Sequence, residues 1–243
     1  MTAEERNLVV DTVIDQVKGR VPVIVHVGDI GTKKSIELAK HAYEAGADAI
    51  SSVPPFYWKF RADDIYSYYK DISEATPLPM VVYNIQLAGL MDMGLLLKLA
   101  DLPNVHGLKY TARSHDEMGY LKEKLGMAII FITHDLGVIS EMADEVVVMY
   151  AGEIVEKAET RQLFDNPMHP YTEGLMASIP DIDQEVDRLQ TLEGLVPSLY
   201  DMPSGCRFGP RCKYYTEECG KNHSQLTRLE GQREVRCRRY QHE

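Results

Sequence analysis

The feature that most constrains the fold is an alternation of two kinds of segment up to about residue 150. Short runs rich in β-branched residues are separated by amphipathic stretches of ten to fifteen residues. In the first amphipathic stretch the apolar residues recur at helical spacing, at Val10, Val13, Ile14 and Val17. Because neighbouring parallel strands are usually joined by a crossover helix, this alternation predicts βα units, a parallel sheet and the α/β fold class.

Six strands are predicted from the β-branched runs. They span residues 21–27, 47–53, 80–85, 105–111, 127–133 and 145–150. Thr32 is expected to cap the helix between the first two strands, and Gly46 to end it. Six parallel strands would form a curved open sheet or a partial barrel. In the alternative, the sixth strand is the first arm of a hairpin that turns at Ala151-Gly152, where the regular alternation stops.

The composition excludes several classes of function. The chain has 243 residues with 26 Lys+Arg, 37 Asp+Glu and a formal charge of −11, and an acidic body argues against a general nucleic-acid binder. No apolar run approaches the roughly 18 residues that a membrane span needs. Residues 1–6 lack the basic-then-apolar pattern of a secretory signal, so we expect a cytoplasmic location and no structural disulfides.

A lysine interrupts the otherwise apolar strand predicted at 105–111. In one interpretation the ammonium of Lys109 simply emerges into solvent at the end of the strand. In the other it is a nucleophile, because an amine can attack a ketone to form a Schiff base. Tyr83 lies near the end of the preceding strand, and the carboxyl ends of parallel strands open onto one face, where active sites of such folds lie. A tyrosine at that place can shuttle protons.

The segment from Glu4 to about Lys124 resembles the middle of N-acetylneuraminate lyase, a pyruvate-dependent class I aldolase with a TIM-barrel fold. The resemblance rests on the runs PVIVHVG (22–28), AGADAI (45–50), PPFY (54–57), YNI (83–85) and GLKYT (107–111). It implies that Lys109 forms the Schiff base with pyruvate, that Tyr83 shuttles the proton and that Thr111 lies beside a sialic acid substrate. The fold class that follows is a partial TIM barrel of about four βα units.

The same comparison shows where the sequence departs from that family. The family's Gly-Ser-Thr-Gly-Glu loop, which binds the pyruvate carboxylate, is not found, and neither are its first two and last two barrel strands. Gln86 stands where proline usually follows the Tyr-Asn-Ile run. A Schiff-base lysine without its carboxylate clamp loses positioning that supplies much of the rate. We therefore expect little lyase turnover from a single chain.

From Gly126 to Glu243 the chain resembles the C-terminal part of an oligopeptide or dipeptide ABC-transporter ATP-binding protein. The resemblance rests on the pair HD (134–135), the run ADEVVVMYAG (143–152) and the run NPMHPYT (166–172). It implies that His134 is the switch histidine that senses the ATP γ-phosphate. The sequence contains no Gly-x-x-x-x-Gly-Lys-Ser/Thr loop, no Leu-Ser-Gly-Gly-Gln signature and no strand that ends in Asp-Glu. No intact ATP or magnesium site is therefore expected.

All four cysteines lie in the basic tail after residue 200, spaced C-x5-C-x6-C-x17-C. They are Cys206, Cys212, Cys219 and Cys237. Four thiolates can hold an iron–sulfur cluster or a tetrahedral zinc ion, and four free thiols are the alternative in a reducing compartment. The spacing lacks the C-x2-C pair typical of structural zinc, and the tail resembles the four-cysteine element of the peptide transporters, which implies a [4Fe–4S] cluster.

These observations predict three domains. They are a half-barrel over 1–126, an ABC fragment that continues it with a βαβ unit over 127–200, and a small irregular cysteine tail over 201–243. Three functions remain open: a lyase-type enzyme, a transport-associated module docked to peptide-transporter subunits at the inner face of the membrane, and a fusion with neither activity. The missing loops favour the third. The unpaired edges of an incomplete sheet also predict self-association.

Overall fold

The computed structural model describes residues 1–111, 115–178 and 191–241. The chain divides into two compact units, Met1–Ala128 and Ile129–Glu243. We call the first the parallel-sheet unit and the second the cysteine unit, and each is described by itself. Among the described residues no helix is long and apolar enough to cross a membrane.

The parallel-sheet unit consists of βα repeats, as the alternation predicts. Its helices are α1 (Ala3–Val17), α2 (Thr32–Ala45), α3 (Ala62–Ser73), α4 (Met93–Ala100) and α5 (His115–Leu125), with a 3-10 turn at Gln86–Ala88. Its strands are β1 (Ile24–His26), β2 (Ala49–Ser52), β3 (Met80–Asn84) and β4 (Val105–Tyr110). The strands pair in the order β1-β2-β3-β4, all parallel, and do not close into a barrel. The prediction of a partial barrel with four βα units is confirmed.

Helix ends in this unit follow local chemistry. Thr2 and Glu5 form a capping box at the start of α1. Gly46 ends α2 in the left-handed region at φ 93°, as predicted. The prediction that Thr32 caps α2 is wrong, because Gly31 is the cap residue and Thr32 already lies in the first turn. The first turn closes on Gly31, whose carbonyl accepts the amide hydrogen of Ser35 at 3.1 Å.

The two faces of the parallel sheet differ in burial. One face packs under the helices and contributes buried side chains such as Val25, Ile50 and Val82. Side chains alternate along a strand, so the residues between these lie on the opposite face. That opposite face, which we call the open face, is not buried: Ile24 is 57% exposed, and His26 is exposed as well. It is the face that would line the interior of a closed barrel.

The predicted strand at 127–133 is not formed. These residues adopt no regular structure, and Ile130 and Ile132 are 91% and 98% exposed. A strand forms only where a neighbour accepts its backbone hydrogen bonds, and none of the described strands pairs with this segment. The continuation of the parallel sheet to six strands, and with it the βαβ continuation, is therefore wrong.

The cysteine unit is built on an antiparallel sheet. Its helices are α6 (Leu136–Met142), α7 (Thr160–Asp165), α8 (Pro170–Ala177) and α9 (Glu217–Lys221), and 3-10 turns occur at Gly209–Arg211, Glu230–Gln232 and Arg238–Tyr240. Its strands are β5 (Glu145–Tyr150), β6 (Glu153–Glu159), β7 (Thr227–Arg228) and β8 (Glu234–Val235). They pair in the order β5-β6-β8-β7.

The hairpin interpretation of residues 145–158 is confirmed by β5 and β6. Its turn residues Ala151 and Gly152 both have positive φ, 47° and 81°. That pair of angles is typical of the type I′ turn, whose twist matches that of a β-hairpin. The tail is continuous with this hairpin: β8 pairs with β6, and Phe208 belongs to the same buried core as Val148. The residues after 200 therefore share a hydrophobic core with the hairpin.

Candidate functional site

Lys109 and Tyr83 lie side by side on the open face. They are paired in register across β4 and β3, at the carboxyl ends of both strands. The Nζ atom of Lys109 lies 4.1 Å from the centroid of the Tyr83 ring, which is a cation–π contact. Lys109 is exposed and Tyr83 is half-buried. The structure thus places an amine and a phenol next to each other where a small molecule can reach both.

Thr111 follows β4 at the same edge of the sheet. Its amide and its Oγ1 both donate to the carbonyl of Asn84, each at 3.2 Å. Asn84 is itself buried, and its Oδ1 accepts the amide hydrogen of Met91 at 2.9 Å. Thr111 therefore stands beside the lysine and tyrosine positions, and its hydroxyl holds the end of β4 against β3.

The sequence analysis missed two residues at the end of β1, His26 of the strand itself and Arg6 of helix α1. His26 ends β1 and lies on the open face. The pKa of His26 is lowered, mainly by partial desolvation and further by the charges of Arg6 and Lys109. The guanidinium of Arg6 donates to the His26 carbonyl at 2.8 Å and to the Asp29 carboxylate at 3.2 Å. The strand period could have placed His26 on this face, whereas no sequence signal indicates the Arg6 contact.

His134, the predicted nucleotide switch, lies in the loop before α6. It is exposed, and its neighbour Asp135 caps α6 by accepting the amides of Gly137 and Val138 at 3.0 and 3.3 Å. Asp135 thus has a structural role of its own.

The four cysteines line one cavity of the cysteine unit. Cys206, Cys212, Cys219 and Cys237 are free thiols and half-buried. The turn that carries Cys206 lies against the helix that carries Cys219, whose carbonyl accepts the Cys206 amide hydrogen at 2.8 Å. This approach requires the glycine at 205, because a Cβ there would lie 2.6 Å from the Gly220 carbonyl oxygen.

Burial affects three thiols in this cavity. It raises the pKa of Cys206, Cys212 and Cys237, to about 11 for Cys237, and nearby backbone amides act in the opposite direction. The fourth sulfur, of Cys219, lies 3.3 Å from Thr216 Oγ1. Hydrogen bonds to sulfur stabilise thiolates, so the donor chemistry fits a group held by four thiolates.

Two kinds of group can be held by four thiolates: a tetrahedral zinc ion, with Zn–S bonds of about 2.3 Å, and an iron–sulfur cluster. Among the described residues, no three His, Cys, Asp or Glu side chains are grouped as ligands of one metal ion.

A buried polar network adjoins the cysteine cavity. The Glu156 carboxylate, which is fully buried, accepts from the amides of Met168 and His169 at 3.0 and 2.8 Å and from Arg233 Nη2 at 2.6 Å. His169 Nδ1 accepts the amide hydrogen of Tyr171 at 3.0 Å. Burial lowers the pKa of His169 to about 4. The sequence analysis quoted the His-Pro-Tyr run but missed Glu156 and Arg233, which lie far from it along the chain.

Comparisons with known proteins agree with both resemblances. The Dihydrodipicolinate synthetase family matches residues 1–143, and the family described as Oligopeptide/dipeptide transporter, C-terminal region, matches residues 155–219. The oligopeptide transport ATP-binding protein AppD of Bacillus subtilis is 49% identical over 123 residues, which are 51% of this chain and 38% of that protein.

Two solved structures resemble the parallel-sheet unit. N-acetylneuraminate lyase from Mycoplasma synoviae is 30% identical at a TM-score of 0.53, over 59% of this chain and 50% of that one. A dihydrodipicolinate synthase from Acinetobacter baumannii, solved in complex with pyruvate, is 32% identical at a TM-score of 0.50, over 52% and 44%. The chain thus spans half or less of the length of each of these relatives. Residues 155–219 are similar to the C-terminal region of oligopeptide/dipeptide transporters, and the chain belongs to the dihydrodipicolinate synthetase family.

Proposed function

We propose that the parallel-sheet unit captures the carbonyl group of pyruvate as a Schiff base on Lys109, with little lyase turnover. The observation that carries this proposal is the 4.1 Å contact between Lys109 Nζ and the Tyr83 ring, at the carboxyl ends of paired parallel strands. The pyruvate complex of the A. baumannii relative supports the choice of substrate. A sialic acid, whose open form is also a 2-keto acid, is the second substrate of this class.

The chemistry needs an amine, a ketone and a route for protons. The neutral amine of Lys109 attacks the ketone carbon, and loss of one water molecule from the resulting carbinolamine leaves the imine. We assign the transfer of a proton to the departing oxygen to the Tyr83 hydroxyl, because Tyr83 is paired in register with Lys109. Capture needs only these two groups, whereas carbon–carbon bond cleavage also needs the substrate carboxylate held in place. The loop that performs that task in the family is not found in this sequence.

Borohydride reduction in the presence of pyruvate tests the capture. We expect one reduced pyruvyl group on the peptide that contains Lys109, detected by mass spectrometry, and its loss in Lys109→Arg. Lys98→Arg is the matched control, because Lys98 is an exposed lysine on helix α4 of the same unit and should leave the yield unchanged. An adduct spread evenly over surface lysines, or none on a folded protein, contradicts the proposal.

Tyr83→Phe separates the contribution of the tyrosine ring from that of its hydroxyl group. The variant keeps the ring beneath the Lys109 amine and removes only the hydroxyl. General acid–base catalysis contributes typically 10²–10⁴-fold, so we expect the rate of imine formation to fall by at least tenfold at an unchanged final yield. A rate equal to that of the wild type would exclude the hydroxyl from proton transfer.

We further propose that the four cysteines hold a [4Fe–4S] cluster. The observation that supports it is that all four cysteines are half-buried and line one cavity. Anaerobic reconstitution with iron and sulfide should give about four irons and four sulfides per chain. Cys237→Ser should lower that content, whereas a change of the exposed Tyr200 to Phe should not. One zinc ion per chain, or four reactive thiols after reconstitution, contradicts the cluster.

We propose a cytoplasmic location with docking to peptide-transporter subunits at the inner face of the membrane. The similarity to AppD, named an oligopeptide transport ATP-binding protein, supports this choice of partner.

We expect no ATP hydrolysis, because the sequence has no phosphate-binding loop for His134 to act with. Among the strands that the structure describes, β1 and β4 each pair on one side only, which favours self-association; light scattering of the purified chain measures it.

A further inference from the structure

Ser224 has a buried hydroxyl group that makes no hydrogen bond. The residue is 3% exposed, and no partner for its Oγ occurs among the described residues. Its backbone is held in place, because its carbonyl accepts from Arg236 Nη1 at 3.0 Å and Arg236 Nε donates to the Ile154 carbonyl at 2.8 Å. Buried polar groups in native proteins nearly always have a partner. The Ser224 hydroxyl is therefore a buried donor for which the described polypeptide supplies no acceptor.

Ser224 lies in the wall of the cysteine cavity, which it lines together with all four cysteines. The sulfur of Cys219 lies 3.3 Å from the Thr216 hydroxyl, and among the described residues no sulfur accepts from Ser224 Oγ. A group held by the four thiolates would lie in this cavity and would give the Ser224 hydroxyl the acceptor that it lacks.

We propose that the Ser224 hydroxyl donates a hydrogen bond to an inorganic sulfide of the cluster and thereby raises its reduction potential. The inference rests on the proposed cluster and adds to it a residue outside the ligand set. Hydrogen bonds to the sulfur atoms favour the reduced form, because that form carries one more negative charge. Ser224 is therefore a residue that tunes the cluster and has no hydrogen bond to lose in the metal-free chain.

The test compares Ser224→Ala with Thr172→Val in both the metal-free and the reconstituted protein. Thr172 is the matched control, because its Oγ1 is also buried without a partner among the described residues, but it does not line the cysteine cavity. In the metal-free protein, neither variant should lower the urea midpoint. In the reconstituted protein, Ser224→Ala should make the one-electron reduction potential more negative. The expected shift is about 59 mV, which is about tenfold in the redox equilibrium. Dithionite titration with EPR detection measures it. Thr172→Val should not change it.

Ser224→Thr keeps a hydroxyl and should keep the wild-type potential, which separates the hydrogen bond from a change in packing. Iron bound normally with the same potential in wild type and Ser224→Ala would overturn the role of Ser224 and leave the cluster in place. An equal shift in Thr172→Val would overturn it as well, since the effect would then not come from the cavity. Absence of iron from the wild type would overturn the cluster itself.

Discussion

Replacing Arg233 by methionine should destabilise the cysteine unit strongly, because it leaves a buried carboxylate without its counter-charge. The side chains of Arg233 and Glu156 are 8% and 0% exposed, and Nη2 lies 2.6 Å from Oε1. After the change, Glu156 keeps only the amides of Met168 and His169. Breaking a buried ion pair on one side typically costs about 3–5 kcal/mol. At about 1.4 kcal/mol per factor of ten, the population of opened molecules should rise by two to nearly four orders of magnitude.

Hydrogen–deuterium exchange followed by mass spectrometry measures this increase in opened molecules peptide by peptide. Peptides from β6 and α8 should exchange faster in Arg233→Met, and peptides from β1 to β4 serve as the internal reference. Arg161→Met is the matched control, since the Arg161–Asp165 pair is 87% and 70% exposed and such pairs contribute little.

A second substitution distinguishes the cost of an unpaired buried charge from the cost of lost packing. Adding Glu156→Gln to Arg233→Met removes the buried charge while an amide oxygen still accepts one backbone N–H. The double variant should therefore be more stable than Arg233→Met alone, although it lacks one more native group. If it is equally or less stable, buried charge is not the source of the cost and the reasoning fails.

Two further predictions concern the same unit. In the metal-free protein, an unfolded histidine takes up a proton near pH 6.5, whereas folded His169 does so only near its pKa of about 4. Stability should therefore fall by roughly 3 kcal/mol as pH decreases from 6.5 to 4. His169→Asn keeps a cap acceptor and should lose most of this pH dependence in urea titrations, and a retained slope would assign the pH dependence to other groups. Ala151 adopts φ 47° in the β5–β6 turn, a left-handed conformation that asparagine adopts more readily than alanine. Ala151→Asn should therefore raise the unfolding free energy by about 1 kcal/mol. An unchanged thermal midpoint would contradict the left-handed conformation.

The sequence predicts the parallel-sheet unit well because its signals are local. The β-branched runs and the terminating glycine at 46 suffice to place four βα repeats and to bring Lys109 beside Tyr83. The strand expected at 127–133 does not form, because local signals are not sufficient there. Alternating Ile130 and Ile132 satisfy the strand pattern, but a strand also needs a paired neighbour, and that is a property of the whole sheet.

Contacts between distant residues are the part that the sequence does not reveal. Arg233 and Glu156 are separated by 77 positions, and neither belongs to a motif that marks it as buried. The hydroxyl of Ser224 is likewise an ordinary serine until its surroundings are known. The cysteines were recognisable as a set from their spacing and from the family resemblance, whereas the cavity that they line depends on turn conformations that the residue types alone do not define.

The open face has a consequence for the selectivity of Lys109. In a closed barrel a carbonyl compound reaches the lysine only through the mouth, and the surrounding strands reject molecules of the wrong shape. On an exposed sheet face the amine meets pyruvate, longer keto acids and simple aldehydes from many directions. Under the proposed function, reactivity and discrimination are separate properties: two neighbouring strands would supply the nucleophile and its proton donor, whereas choosing among carbonyl compounds requires an enclosing wall.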